Sequence, residues 1–243
     1  MTKIIDNFID REIGRILLEE NAKEEAEHVS SGKLSASRLN DPLQCQVLYA
    51  LGVKKAPLDE YAIRKFKRGN HVEAWIKQFL GNDLQSQKKL EYRNVVGRLD
   101  ALVDTAKWDF PHDIVPVEIK SVANAKFKRI LANGPDRGHI YQAVHYGIAS
   151  GVDYVAVLYV ASDDYRVQTY WIRVSDYKKE VDKIINDFDL AMATKTIPDF
   201  IAREKWQENP KYNPYFEWKD KSRKELNLLA KELFKKYDKQ TSR

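Results

Sequence analysis

The stretch IVPVEIKSV, residues 114 to 122, constrains this chain more than any other. Its apolar and β-branched residues read as a buried strand, yet the run holds Glu118 and Lys120, and ionised groups in such a place are costly. Side chains alternate along a strand, so Val115, Val117 and Ile119 point to the core while Glu118 and Lys120 share the opposite face. Upstream, NVVGRLDALVDT is read as one half-buried strand with the same period. It sets Val95, Gly97, Leu99, Ala101 and Val103 on one face and Arg98, Asp100 and Asp104 on the other. KWDFPHD between them has the Pro and Asp of a turn, so the two strands are expected to form a hairpin. Pairing would bring Asp100 and Glu118 together near Lys120 at the sheet edge. The alternative reading makes Glu118 and Lys120 exposed residues on a two-sided sheet.

Two converging carboxylates are what a hard divalent ion such as Mg²⁺ or Mn²⁺ asks for, and the ion's charge offsets the cost of gathering acids. A lysine beside them could orient or help deprotonate a water and stabilise negative charge developing on a phosphate. The single cysteine, Cys45, excludes a disulfide within the chain and any site built on several thiolates, and is expected to pack as a small apolar residue. The net charge of +5 is compatible with a polyanionic partner, although such a balance alone more often reflects ordinary surface lysines. No apolar run has membrane-spanning length, and the acids of MTKIIDNFID interrupt what a signal peptide would keep apolar, so a cytoplasmic protein without membrane contact is expected.

With 243 residues and no repeat or Gly/Ser linker, one main domain with extensions is the economical view: an amphipathic helical extension over 1–30, the main domain over 31–205 and a basic helical extension over 206–243. Ile5, Phe8, Ile9, Ile13, Ile16 and Leu17 have helical spacing, either packed on the core or serving as a partner-binding arm. Two helices are expected within 35–52 and 56–81, and another in HIYQAVHYGIASG, ending at Gly151. The strands DYVAVLYVA and YRVQTYWIRV follow, then a helix from Ser175. A capping box from Ser222 to Glu225 opens a last helix striped by Leu226, Leu229, Leu233 and Tyr237. The class is therefore α/β.

Four pieces together resemble the PD-(D/E)XK nuclease superfamily, in its RecB-like branch with lambda exonuclease and the nuclease that assists CRISPR spacer acquisition. GRLDALVD is similar to the branch's G-x-x-D strand, VPVEIKS to its E-x-K strand, QAVHY to its Q-x-x-x-Y helix and GNHVEAW to its upstream helix motif. The likeness spans about residues 35 to 160. It implies a restriction-endonuclease-like core, a mixed sheet flanked by helices, with Asp100, Glu118 and the Ile119 carbonyl as metal ligands and Lys120 as the catalytic lysine. Glu73 would complete the metal shell, with His71 as second candidate and a plain surface acid as the alternative. Gln142 and Tyr146, at i and i+4 on one helix face, would contact the substrate backbone and orient the site, or would simply be a polar residue beside a core tyrosine. The lone cysteine excludes the iron–sulfur subclass, and the absence of a phosphate-binding glycine loop leaves any unwinding to a partner.

ANAKFKRILANGPDRGH is read as a basic loop next to the site. Lys126, Lys128, Arg129 and Arg137 could meet phosphates and Phe127 a base, or the loop could merely be solvated. Ser35, Ser37 and Arg38, at the start of the first core helix, are phosphate ligands or an ordinary cap. His139 and His145 are read as structural. The expected function is a metal-dependent DNA nuclease, first of all an exonuclease on linear or single-stranded ends in recombination, repair or defence. Its rivals are a non-catalytic nucleic-acid-binding subunit and a nuclease that depends on a protein partner or a homo-oligomer.

Overall fold

A computed structural model describes residues 8–27, 31–80, 87–105 and 114–241. The helices are α1 Phe8–Glu27, α2 Leu43–Ala50, α3 Glu60–Lys77, α4 Asn124–Asn133, α5 Arg137–Ser150, α6 Val174–Ala193 and α7 Arg223–Thr241. The strands are β1 Leu34–Ser35, β2 Lys89–Tyr92, β3 Val95–Arg98, β4 Ala101–Asp104, β5 Ile114–Val122, β6 Tyr154–Ala161 and β7 Val167–Arg173. The class is α/β, with two mixed sheets where one was expected, of order β1-β3-β2 and β4-β5-β6-β7.

The four-stranded sheet is covered on both faces. On one, Val72 and Ile76 of α3 pack with Val115, Val117 and Ile119 of β5 and Ala156 and Leu158 of β6. On the other, Val144 and Tyr146 of α5 pack with Val155, Val157 and Tyr159 of β6, and α6 adds Ile185 and Phe188 behind them. Each such side chain taken from water contributes roughly 1.5–3 kcal/mol. Local signals fix the ends of the covering helices. The Asp59 carboxylate accepts the Ala62 N–H at 2.7 Å to start α3, and Gly151, at φ +68°, closes α5 as expected.

Four expectations are corrected. Residues 95–104 are two strands in different sheets: β3 pairs with β1 and β2, β4 with β5, and the chain crosses at Asp100. Burial keeps its period across the crossing, so alternation alone cannot reveal the break. β5 is an interior strand rather than an edge; its neighbour β4, four residues long, is the edge on that side, and β7 is the other. The basic loop is mostly helix, because Phe127 and Ile130 bury one face of α4 before Gly134, at φ +84°, ends it. Phe127, 2% exposed, is therefore in the core and not free to stack on a base. The first core helix is a 3-10 turn at Ala36–Arg38 followed by α2, separated by Pro42, which resists continuation of a helix through it. Ser35 thus precedes that 3-10 turn and Arg38 ends it, and neither stands at an α-helix N-terminus. The buried Gln46 amide holds the turn by donating to the carbonyls of Arg38, Leu39 and Asp41 at 3.0–3.1 Å.

The β4–β5 hairpin forms as expected, with Ala101 opposite Val117 and Asp104 opposite Ile114; the turn KWDFPHD lies outside the described residues. In the α7 capping box Glu225 accepts the Ser222 N–H at 2.7 Å and its own N–H donates to Ser222 Oγ at 3.3 Å. The stripe of α7 joins the main core through Leu226, Ala230 and Phe234. α1 leans on α3, where Lys67 bonds Glu20 at 3.2 Å, and leaves Ile9 70% exposed; Ile5 lies outside the described residues. Cys45 is buried, its thiol 3.5 Å from Asn213 Oδ1, and burial pushes its pKa up to about 12. Among the described residues no helix is long and apolar enough to cross a membrane.

Candidate active site

Unequal strand lengths create the site. β4 pairs with β5 only as far as Val117, whereas β6 runs alongside β5 to Val122. Beyond Val117 the β4 side of β5 has no strand partner among the described residues, and the carboxylate of Asp100, at the crossing between the sheets, takes that place. Asp100 Oδ2 accepts the Ile119 N–H at 2.8 Å. N–H and C=O of one strand residue point the same way, so the Ile119 carbonyl faces the same gap.

Glu118 and Lys120 project from β5 to the face that α5 covers, in register with Val157 and Tyr159 of β6. They form an ion pair in which the Glu118 side chain is 1% and the Lys120 side chain 24% exposed, so Lys120 carries the pair's opening to solvent. The second carboxylate oxygen of Glu118, Oε2, is buried and has no hydrogen-bond partner among the described residues. Burial pushes the Glu118 pKa up to about 8, with Lys120 opposing the shift and Asp100 adding to it. The same desolvation raises Asp100. Burial also works against the Lys120 charge, but Glu118 and Asp100 outweigh it and hold the ammonium protonated. The acids lack positive charge and the lysine does not supply enough of it.

Glu73, one residue along α3 from the buried Val72, acts by its charge on Asp100, Glu118 and Lys120. Its carboxylate is held by Lys77 and by Gln87 Nε2 at 3.1 Å. His71 is exposed on the same helix. Gln142 and Tyr146 are buried behind the site: Gln142 Nε2 donates to Tyr146 Oη at 3.0 Å, and Tyr146 donates to the Arg98 carbonyl at 2.9 Å. That chain ties α5 to the backbone two residues before Asp100. The close approach needs Gly97, where an added Cβ would sit 2.5 Å from Tyr146 Cε1 and 2.9 Å from Ala36 Cβ.

The remaining candidates stand elsewhere. Lys126 and Arg129 on α4 both pair with Asp136, Lys128 is exposed, and Arg137 reaches Glu180 at 3.2 Å. Ser35 bonds Ser37 Oγ at 2.9 Å, and Arg38 pairs with Asp41 while its guanidinium lies over Tyr49. Both histidines make structural bonds, His139 to Tyr159 Oη at 2.8 Å and His145 to the Val95 carbonyl at 3.2 Å. Sequence reading missed Lys77, which the i,i+4 spacing from Glu73 could have given, and the packing role of Gly97, which no local signal gives.

Among the described residues no three His, Cys, Asp or Glu side chains form a set that could hold a metal. Mg²⁺, however, is commonly held by one or two carboxylates with waters and substrate phosphate completing its shell. Asp100, Glu118 with its unpartnered oxygen, and the Ile119 carbonyl are hard oxygen donors of that type, so the residues fit.

No family model matches the chain, and no curated protein matches it. Solved structures do. SSO0001 is similar at 15% identity and TM-score 0.46, covering 73% of this chain and 86% of its own. The alkaline exonuclease LHK-Exo of Laribacter hongkongensis is similar at 14% identity and TM-score 0.45, covering 68% of this chain and 92% of its own. The same exonuclease in complex with dAMP gives 14% identity and TM-score 0.44, covering 72% and 95%.

Proposed function

We propose that this chain is a divalent-metal-dependent DNA nuclease of the PD-(D/E)XK type, hydrolysing phosphodiester bonds and acting first on ends of linear or single-stranded DNA. One observation carries the reading: a buried carboxylate whose second oxygen has no hydrogen-bond partner among the described residues, beside a half-buried lysine that opens to solvent, where β5 runs on past β4 and Asp100 fills the gap. A sheet has no packing need for that arrangement, since two charges in the interior cost several kcal/mol each before they attract one another.

Asp100, Glu118 and the Ile119 carbonyl would hold Mg²⁺ or Mn²⁺, with Glu73 at the rim. A bound divalent ion supplies Lewis acidity toward the phosphate and a more acidic water. The Lys120 ammonium donates a hydrogen bond toward the attacking water or the phosphate oxygens, countering the charge that grows in the transition state. Gln142 and Tyr146 are positioning residues that fix the Arg98–Asp100 backbone. Lys126, Lys128, Arg129 and Arg137, together with Ser35 and Arg38, are proposed phosphate contacts.

The test is a time course on end-labelled linear single- and double-stranded DNA beside a closed circle, with Mg²⁺, Mn²⁺ or chelator, for wild type and Asp100→Asn. Expected is metal-dependent loss of the linear DNA, absent in the variant. Equal rates for both proteins would overturn the mechanism, and cutting of the circle would make the enzyme an endonuclease. A second reading, a nuclease that acts only within a complex, is favoured by α1, where Ile9, Ile13 and Ile16 stay 70%, 42% and 42% exposed. On that reading, deleting α1 abolishes association and cleavage together, and cleavage that survives the loss of association would overturn it.

A further inference from the structure

Burial of Phe127 removes the aromatic ring that the sequence offered for a base, and the surface at the same end of the sheet holds others. Trp75, in the last turn of α3, and Phe79, just past its end, have ring centroids 4.7 Å apart, and Tyr165, in the β6–β7 turn, packs against Trp75 in a tilted arrangement at 4.5 Å. Phe79 is 64% and Tyr165 45% exposed. Lys120 stands two residues before Val122, which is in register with Ala161, the last residue of β6. The β6–β7 turn therefore begins about 7 Å along the strands from Lys120. On the helix side Trp75 is two residues from Glu73, whose charge acts on the site. The three rings lie on the α3 side of the sheet, Trp75 packed on its apolar layer, at the same end of the strands as the pair that β5 presents toward α5.

Tyr165 also occupies a backbone conformation that packing would not choose. Its φ is +60°, and its N–H closes the turn onto the Ala161 carbonyl at 2.8 Å. A bulky side chain there is an outlier, and Gly or Asn is the usual occupant. Such strain persists where a side chain serves something besides the fold.

Resting on the nuclease reading above, we infer that Trp75, Phe79 and Tyr165 form a stacking platform for unpaired bases of the DNA strand entering or leaving the site. Every base has a π-face, so a platform of this kind holds a strand without reading its sequence, while the phosphates go to cationic side chains.

The experiment measures equilibrium binding of the full chain carrying Asp100→Asn to a labelled single-stranded oligonucleotide and to an all-abasic strand of equal length and charge. Tyr165→Gly and Phe79→Ser are then added separately. Each is expected to weaken binding of the base-bearing strand about tenfold and leave the abasic strand unchanged. Tyr165→Gly should keep Tm within a few degrees, since relief of the left-handed strain offsets the lost ring contact. Unchanged affinity for the base-bearing strand in both variants would overturn the platform, as would equal losses on both strands. If the Asp100→Asn parent binds neither strand, the nuclease reading falls and the platform with it. If it binds both strands but cleaves like wild type, the catalytic assignment alone fails.

Discussion

β5 has two covered faces, opposite in purpose, and only the charged one opens to solvent, at Lys120. Val115, Val117 and Ile119 meet α3 in an apolar layer, while one residue out of phase Glu118 and Lys120 meet α5 as an ion pair. The first face lowers the free energy of the fold by burial; the second raises it by desolvation. A strand that carries both shows where stability has been given up, and that place coincides with the gap left by β4 and filled by Asp100.

The comparison breaks most visibly if the charged face is made to resemble the apolar one. The double variant Glu118→Leu, Lys120→Met removes both charges at similar volume. Cleavage is expected to fall by on the order of a thousandfold or more, about 4 kcal/mol in activation free energy, while denaturant unfolding shows the fold stabilised by about 1–4 kcal/mol. A destabilised double variant would mean that the pair serves the fold. The apolar face should give the converse. Leu158→Ala, in register with Ile119, is expected to cost about 3 kcal/mol of stability in the same titration. Its single-turnover cleavage rate well below Tm should stay near wild type, because the truncated side chain touches only the α3 layer.

Much of this contrast was legible in the sequence, and for a definite reason. Period two puts Glu118 and Lys120 on one side of β5 whatever covers them, and i,i+4 spacing puts Gln142 and Tyr146 on one side of α5. What covers β5 was not legible, because a strand buried on both faces by α3 and α5 has the same local pattern as a half-exposed one that carries two charges. The crossing at Asp100 was hidden by continuous alternation from Val95 to Val103, although the strand partners change there. α4 escaped because Phe127 and Ile130 alone mark its buried face among lysines and an arginine, too few apolar positions to separate a helix from a basic loop.

A third prediction sharpens the comparison at the join between the two sheets. Gly97→Ala would place its Cβ 2.5 Å from the Tyr146 ring, which must move and take with it the bond to the Arg98 carbonyl. A stability loss of about 1–3 kcal/mol is expected from overpacking. Cleavage should drop as well, since the Asp100 segment shifts with Tyr146. Full cleavage in a destabilised variant would show that this chain of bonds does not set the position of Asp100.

The smallest effect separates the buried charge that serves the proposed site from a buried polar group that serves the fold. His145 lies on α5, on the same side of the sheet as Glu118, fully buried and bonded through Nε2 to the Val95 carbonyl. Burial lowers its pKa from 6.5 to about 4. Between those values the unfolded chain binds the proton that the folded chain refuses, so the contribution of His145 to stability is complete above pH 6.5 and is lost as pH falls toward 4. At its steepest the loss approaches one proton, about 1.4 kcal/mol per pH unit. His145→Gln keeps a donor for the Val95 carbonyl and removes the titration, so the difference between wild-type and variant stability should slope across that window and level off above it. A flat difference would mean that the histidine ring is protonated as readily in the folded core as in the unfolded chain. The α5 side of the sheet would then tolerate a second buried charge, and the cost assigned to Glu118 and Lys120 would lose its force as a sign of function.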